Sequence, residues 1–307
     1  MRKKPSYRFL LQEGELARRA LQAQEHLHAC DLCARRCGID RFEATGACNT
    51  GVHARLASYG AHHGEEDPLR GRRGSGTIFF AWCNLTCVYC QNADISQAPA
   101  GREVGAEELA AVMLALQAGG CHNINLVSPS HVVAPILAAL VLAADHGLSL
   151  PLVYNTGGYD SPEALALLDG VVDIYMPDMK YSDPAVGLRL SGVPDYPAVN
   201  NVAVREMHRQ VGDLVIDEDG VAQHGLLVRH LVLPGDLAGT ETVVRFLADE
   251  ISTGTYLNLM DQYHPAHLAR EYPPLQRRLL PHEFLAAQQA ATAAGLTRLD
   301  RRQRLTF

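Results

Sequence analysis

Three cysteines stand within eight residues in Cys83-Asn-Leu-Thr-Cys87-Val-Tyr-Cys90, directly after a short apolar run, Thr77–Trp82. Thiolates this close together can face one inorganic centre. A cubane [4Fe–4S] cluster takes four cysteines, so three leave one iron without a protein ligand. Catalytic zinc sites keep an open position in the same way. An open iron can bind and reduce a substrate. A structural zinc ion borrowing a fourth ligand ranks below this reading, because zinc sites more often show paired CxxC halves. A disulfide ranks lower still, since an odd number strands one thiol.

A second set precedes the first. Cys30-x2-Cys33-x3-Cys37-x10-Cys48 places four thiols within 19 residues, with Gly38 and Gly46 allowing tight turns. Four sulfurs complete either a tetrahedral zinc site or a closed iron–sulfur cluster, and spacing does not separate the two. A cluster would relay electrons; zinc would staple this segment to the rest of the chain. A redox disulfide through the CxxC would leave two cysteines unused. Cys121, standing alone, reads as a small buried hydrophobe.

The elements that must position these groups follow from hydrophobic period. Residues 8–28 read as one helix, and 55–75 as an irregular Gly/His/Glu-rich stretch in which His62, His63, Glu65 and Glu66 form a surface loop, with a metal-adjacent or substrate loop as the other option. From residue 76 short apolar runs alternate with helical ones. Strands are expected at Thr77–Trp82, Asn123–Val127, Leu152–Asn155, Val171–Met176, Leu226–Leu233 and Tyr256–Met260. Helices are expected at Ala106–Leu116, Val132–Ala144, Pro162–Leu168 and Thr240–Glu250, and a hairpin turn at Asp217–Gly220. Strands alternating with helices imply parallel βαβ units, hence an α/β fold with a wound sheet or partial barrel. Functional groups then belong at strand ends. Those ends read Ser128-Pro-Ser-His131, Asn155-Thr-Gly-Gly158, Asp178-Met-Lys180, Arg229-His230, and Asp261-Gln262 with His264. Gly71-Arg-Arg-Gly-Ser-Gly76 lacks a Gly-Lys-Ser/Thr ending and precedes a strand, which excludes a phosphate-binding loop.

Composition sets the outer bounds. Of 307 residues, 47% are hydrophobic and 20% charged, which excludes a disordered or low-complexity chain. Seven of the eight cysteines fall between positions 30 and 90, a clustering that points to metal or redox chemistry rather than a disulfide scaffold. A net charge of −7 argues against a nucleic-acid partner, and Arg298, Arg301, Arg302 and Arg304 read as a solvated helix end. The basic N-terminus is not followed by an apolar segment with a cleavage site, and the longest apolar run, Val132–Ala144, contains Pro135 and is too short to span a membrane. The expected location is the cytoplasm, with no membrane partner.

Cys-x3-Cys-x-aromatic-Cys after a strand resembles the signature of the radical S-adenosylmethionine (SAM) superfamily. The surrounding residues, Gly74–Asn92, are similar to the pyruvate formate-lyase-activating-enzyme homologues of the PflX-like branch, as are His63-Gly-Glu-Glu66, Met260-Asp-Gln-Tyr-His-Pro265 and the N-terminal cysteine segment. The resemblance runs from about residue 28 to 265. It implies a partial (β/α)6 TIM-like barrel over residues 76–265, preceded by a helix and a four-cysteine metal-binding segment (1–75) and followed by a helical extension (266–307).

The resemblance also implies roles. Cys83, Cys87 and Cys90 would hold the [4Fe–4S] cluster, whose open iron chelates the amino and carboxylate groups of SAM. Reductive cleavage would yield methionine and a 5′-deoxyadenosyl radical that abstracts hydrogen. Tyr89 is expected near the adenine, and Asn155 and Thr156 near the ribose and methionine. Asp178 and Lys180 match an Asp-Leu-Lys motif, with Lys180 neutralising the SAM carboxylate, and His264 matches a histidine near SAM. The superfamily's Gly-Gly-Glu-Pro is replaced here by Ser128-Pro-Ser-His131, so Ser128, Ser130 or backbone carbonyls would receive the SAM ammonium. The implied partners are a glycyl-radical enzyme, whose glycine Cα supplies the hydrogen, and a flavodoxin or ferredoxin-type electron donor. The alternatives are a radical SAM enzyme modifying another peptide, RNA or small molecule, and a non-catalytic zinc or iron–sulfur protein.

Overall fold

Alternate residues of each central strand face opposite ways, and that alternation builds the molecule. A computed structural model of the chain describes residues 4–300; Arg301, Arg302 and Arg304 lie outside them. The strands are β1 (Ala54–His62), β2 (Ser75–Phe80), β3 (Arg102–Val104), β4 (Ile124–Val127), β5 (Leu152–Thr156), β6 (Ile174–Pro177), β7 (Val215–Ile216), β8 (Ala222–Leu231), β9 (Tyr256–Met260) and β10 (Arg298–Leu299). They form one sheet in the order β3-β1-β2-β4-β5-β6-β8-β9-β10, with β7 paired to β8. The stretch from β2 to β9 holds the six expected strands, parallel and neighbouring in chain order. The sheet does not close: β1 lies antiparallel on the free edge of β2, and β10 lies parallel on β9.

Ile78, Phe80, Ile124, Leu126, Leu152, Tyr154, Tyr175, Leu226, Val228 and Leu257 join the main core, packed with residues of the helices Ala106–Ala118, Val133–Asp145 and Pro162–Leu168. The intervening residues Val153, Ile174, Met176 and Leu227 form a second apolar cluster, as the two-residue strand period requires. Leu69, from the short helix Asp67–Arg70, joins this inner cluster and is fully buried. Above it, Phe79, Val127, Asn155, Asp178, Arg229, Leu231 and Met260 face a cavity. Strand β6 and its neighbours are therefore buried on both faces, the usual state of parallel sheets.

Several expectations change. Residues 8–28 form two α-helices, Tyr7–Gln12 and Glu15–Glu25, followed by a 3₁₀ turn, because Gly14 sits at φ +73° between them. The stretch read as irregular holds all but the first residue of β1, a nine-residue strand. The expected Thr240–Glu250 helix is α-helical only to Phe246 and ends in a π turn, Leu247–Ile251. Arg298 lies in β10 rather than at a helix end, its guanidinium over the Tyr256 ring. The Asp217–Gly220 hairpin forms as expected, with Asp217 N–H donating to the Val221 carbonyl. Among the described residues no helix is long and apolar enough to cross a membrane.

Candidate active site at the strand ends

The loop that leaves β2 carries Cys83, Cys87 and Cys90 over the C-terminal ends of the parallel strands. Backbone bonds fix it from below: Val88 N–H donates to Leu190 O at 2.9 Å, and Ala81 N–H to Arg55 O at 2.8 Å. All three cysteines line one cavity of about 370 Å³, together with Tyr89, Ser128, Asn155, Thr156, Asp178, Lys180 and Arg229. Burial raises the Cys83 thiol to about 12, and the neighbouring Cys87 and Cys90 add to the shift. Burial raises Cys87 as well, while the Lys180 ammonium opposes it. Loading a metal here therefore requires proton release from the thiols.

Among the described residues no group of three or more His, Cys, Asp and Glu side chains is gathered tightly enough to hold a metal as it stands. Each sulfur instead bonds to a neighbour: Cys83 Sγ accepts from Leu85 N–H, Cys87 Sγ meets Ser191 Oγ, and Cys90 Sγ meets Ser96 Oγ. The donor set itself, three thiols on one wall of a cavity large enough for a small molecule, fits a three-cysteine cluster with one open iron.

The remaining expected groups divide by where their polar atoms point. Lys180 Nζ donates to Asp178 Oδ2 at 2.6 Å. Burial pulls the Lys180 pKa down, but Asp178 and then Cys87 outweigh it, so the ammonium is held well above its ordinary range. Asn155 and Ser128 line the cavity, with Ser128 at φ +57° and its N–H bonded to Asn155 O. Thr156 also lines it, but its hydroxyl donates to Asp160 at 2.6 Å and accepts from Gly158 N–H. Ser130 is buried, is not part of the cavity wall and hydrogen-bonds Thr156 at 2.8 Å. Ser130 thus supports the wall from behind. His264 stands outside the lining, 3.4 Å from Gln91, which does line it. His230 faces away entirely, bonded to Met179 O and Thr240 Oγ1.

The expected surface loop at 62–66 is corrected. Glu66 is fully buried and Glu65 nearly so. Glu66 Oε1 accepts from Asn258 Nδ2 on β9 at 2.6 Å and pairs with Arg229 on β8 at 3.4 Å. The β1–β2 connection therefore crosses the side of the barrel that the sheet leaves open. His62 and Glu65, 3.7 Å apart, line the cavity with the cysteines.

The second set, Cys30, Cys33, Cys37 and Cys48, lines a separate small cavity with Arg41 and His131. Buried Arg41 organises it, donating to Thr50 O at 3.0 Å and His131 O at 2.7 Å and lying 3.8 Å from Cys30 Sγ. Burial raises the Cys33 thiol to about 12. Cys121 is buried in the core, as expected.

A partial parallel barrel with three cysteines on the loop after its first strand defines a class of iron–sulfur radical enzymes, and comparison bears this out. Residues 77–202 match the Radical SAM superfamily model. The chain is 31% identical over 276 residues to Uncharacterized protein MJ0674 of Methanocaldococcus jannaschii, covering 87% of this chain and 75% of that protein. The chain belongs to the radical SAM superfamily. That membership implies a [4Fe–4S] cluster and SAM. Among solved structures, one of TYW1 with a lysine-pyruvate adduct bound overlaps 71% of this chain and 73% of its own, at 9% identity and a TM-score of 0.42, too low to bear on substrate.

Proposed function

We propose that the chain is an activating enzyme: Cys83, Cys87 and Cys90 hold the [4Fe–4S] cluster, and the hydrogen abstracted comes from a glycine Cα of a partner glycyl-radical enzyme. The observation that carries the site assignment is the convergence of three thiols, Asp178 and Lys180 on one cavity at the strand ends. The activase reading is supported by the motif resemblance, chiefly the cysteine loop with Asn155–Gly158 and Asp178-Met-Lys180. Cys83, Cys87 and Cys90 would hold the cluster, which when bound would supply the electron for reductive cleavage of SAM.

The chain's own groups bind and orient. Lys180, kept protonated by Asp178, neutralises the SAM carboxylate through a charge-assisted hydrogen bond. Tyr89 forms part of the cavity wall, together with Ser128 and Asn155. Ser130 and Thr156 hold that wall through Asp160, and His264 with Gln91 forms the rim. Leu69 and the Glu66–Arg229–Asn258 group close the floor and flank, which keeps water from the reacting atoms. A flavodoxin or ferredoxin-type protein supplies the electron.

The second cysteine set holds a metal, zinc or an iron–sulfur cluster, that fastens the N-terminal segment to the barrel beside His131. Metal analysis of Cys30→Ser/Cys33→Ser separates the two. Loss of about four irons per chain identifies a cluster, loss of zinc identifies a zinc site, and an unchanged metal content overturns the assignment.

The activase reading is tested by mixing reconstituted protein, dithionite and SAM with a partner that carries a C-terminal glycyl-radical motif. A glycine-centred doublet in the electron paramagnetic resonance (EPR) spectrum is the expected result. SAM cleavage without that doublet, with hydrogen taken from another peptide, RNA or small molecule, would overturn it.

A further inference from the structure

Each sulfur of the cysteine loop meets a group that can donate a hydrogen bond, a serine hydroxyl at Cys87 and at Cys90, and Cys83 Sγ also lies 3.8 Å from Asn84 Oδ1. Leu85 N–H donates to Cys83 Sγ at 3.4 Å, Ser191 Oγ lies 2.9 Å from Cys87 Sγ, and Ser96 Oγ lies 3.1 Å from Cys90 Sγ. Ser191 extends the contact inward. Its hydroxyl is 2.7 Å from the Tyr181 hydroxyl, which is 2.7 Å from that of Tyr89. Cys87, Ser191, Tyr181 and Tyr89 are all buried, and Ser191 and Tyr181 lie behind the cavity wall that Cys87 and Tyr89 help to form.

The fold holds this chain rigidly. Ser191 is the last residue of the helix Pro184–Ser191. The final carbonyls of that helix are bonded by the cysteine loop itself: Leu190 O accepts from Val88 N–H, and Ser191 O accepts from Thr86 N–H and Oγ1–H. The Tyr181 ring meets Tyr89 edge-on at 6.3 Å and Tyr196 at 5.4 Å, which fixes its hydroxyl beside Ser191.

A hydroxyl carries one proton, so the chain has a direction. With Cys87 as a thiol, S–H can donate to Ser191, Ser191 to Tyr181, and Tyr181 to Tyr89. A thiolate on iron has no proton and only accepts. Ser191 must then donate to the sulfur, Tyr181 to Ser191, and Tyr89 to Tyr181. Ligation therefore fixes the direction of every bond in the chain, with each proton pointing toward the sulfur.

We propose that Ser191 and Ser96 donate hydrogen bonds to the cluster's thiolates and raise its reduction potential, and that Tyr181 holds the Ser191 proton in the donating direction. This rests on the reading that Cys83, Cys87 and Cys90 hold the cluster. A donor at a thiolate sulfur stabilises the more negative, reduced state, and such bonds are among the levers that set cluster potentials. Ser191, Ser96 and Tyr181 are positioning residues.

Redox titration of anaerobically reconstituted protein with dithionite, followed by EPR, tests the proposal. Ser191→Ala and Ser96→Ala should each take up full iron and sulfide and move the midpoint to lower potential. Tyr181→Phe should move it the same way by less, and Ser191→Ala/Tyr181→Phe should go no further than Ser191→Ala, because Tyr181 acts through Ser191. Midpoints at the wild-type value in fully loaded Ser191→Ala and Ser96→Ala would overturn the proposal while leaving the cluster assignment intact. If Ser191→Ala does not fold, Ser96→Ala on the half-buried side decides the question. A wild-type protein that takes up no iron and sulfide would overturn the cluster assignment, and the proposal with it.

Discussion

Glu66 shows how much of this barrel depends on single polar side chains. A fully buried carboxylate is stable only when paired and hydrogen-bonded, and Glu66 has Arg229 and Asn258 for both. Glu66→Gln removes the nearest countercharge of Arg229. Breaking a buried pair from one side costs about 3–5 kcal/mol, so urea unfolding of the metal-free variant should show a loss of that order. Glu66→Leu/Arg229→Met, which removes both charges, should lose less, and a Glu66→Gln variant as stable as wild type would show that the pair contributes nothing. Nothing in the local sequence marks Glu66 as internal. It sits in a run of Gly, His and Glu that reads as solvated, and its partner Asn258 lies 192 residues away. The cysteines, by contrast, announce themselves, because their chemistry depends on spacing along the chain. Ser191 and Ser96 fall on the unreadable side: an isolated serine carries no signal until the fold brings it to a sulfur.

At the scale of elements, the six central strands were legible because each is a short apolar run between turn residues, and each joins its neighbour in chain order. Strand β1 was not. Its outer half, Ser58–His62, is partly exposed and weakly apolar, since it pairs at the rim and buries little. β10 has only two residues and no period to detect. The turn after β5 is the element most exposed to mutation. Gly158 sits at φ +74°, and a Cβ there would lie 2.3 Å from the Asp178 carbonyl and 2.2 Å from Asn200 Nδ2. Gly158→Ala must therefore shift the turn that follows Asn155 and Thr156 against the one that carries Asp178. A loss of stability of about 1–3 kcal/mol, together with weaker SAM binding by calorimetry, is the expected outcome. An unchanged affinity would show that the two strand ends do not act together.

For the whole molecule, two cysteine sets meet one barrel in different ways. The four at 30–48 converge on Arg41 and His131, on a loop bonded to the outside of the β4 end. The three at 83–90 face inward over a cavity walled by six strand ends and the β1–β2 connection. Both sets were visible in the sequence as counts and spacings, but which one fronts a cavity large enough for a small molecule required the folded chain. The central claim is that the inward set does the chemistry. It is tested most directly by incubating anaerobically reconstituted protein with dithionite and SAM and measuring methionine and 5′-deoxyadenosine. Both products in equal amount, abolished by Cys87→Ala, are the predicted result. Bound zinc with no iron–sulfur absorbance and no SAM cleavage would contradict it.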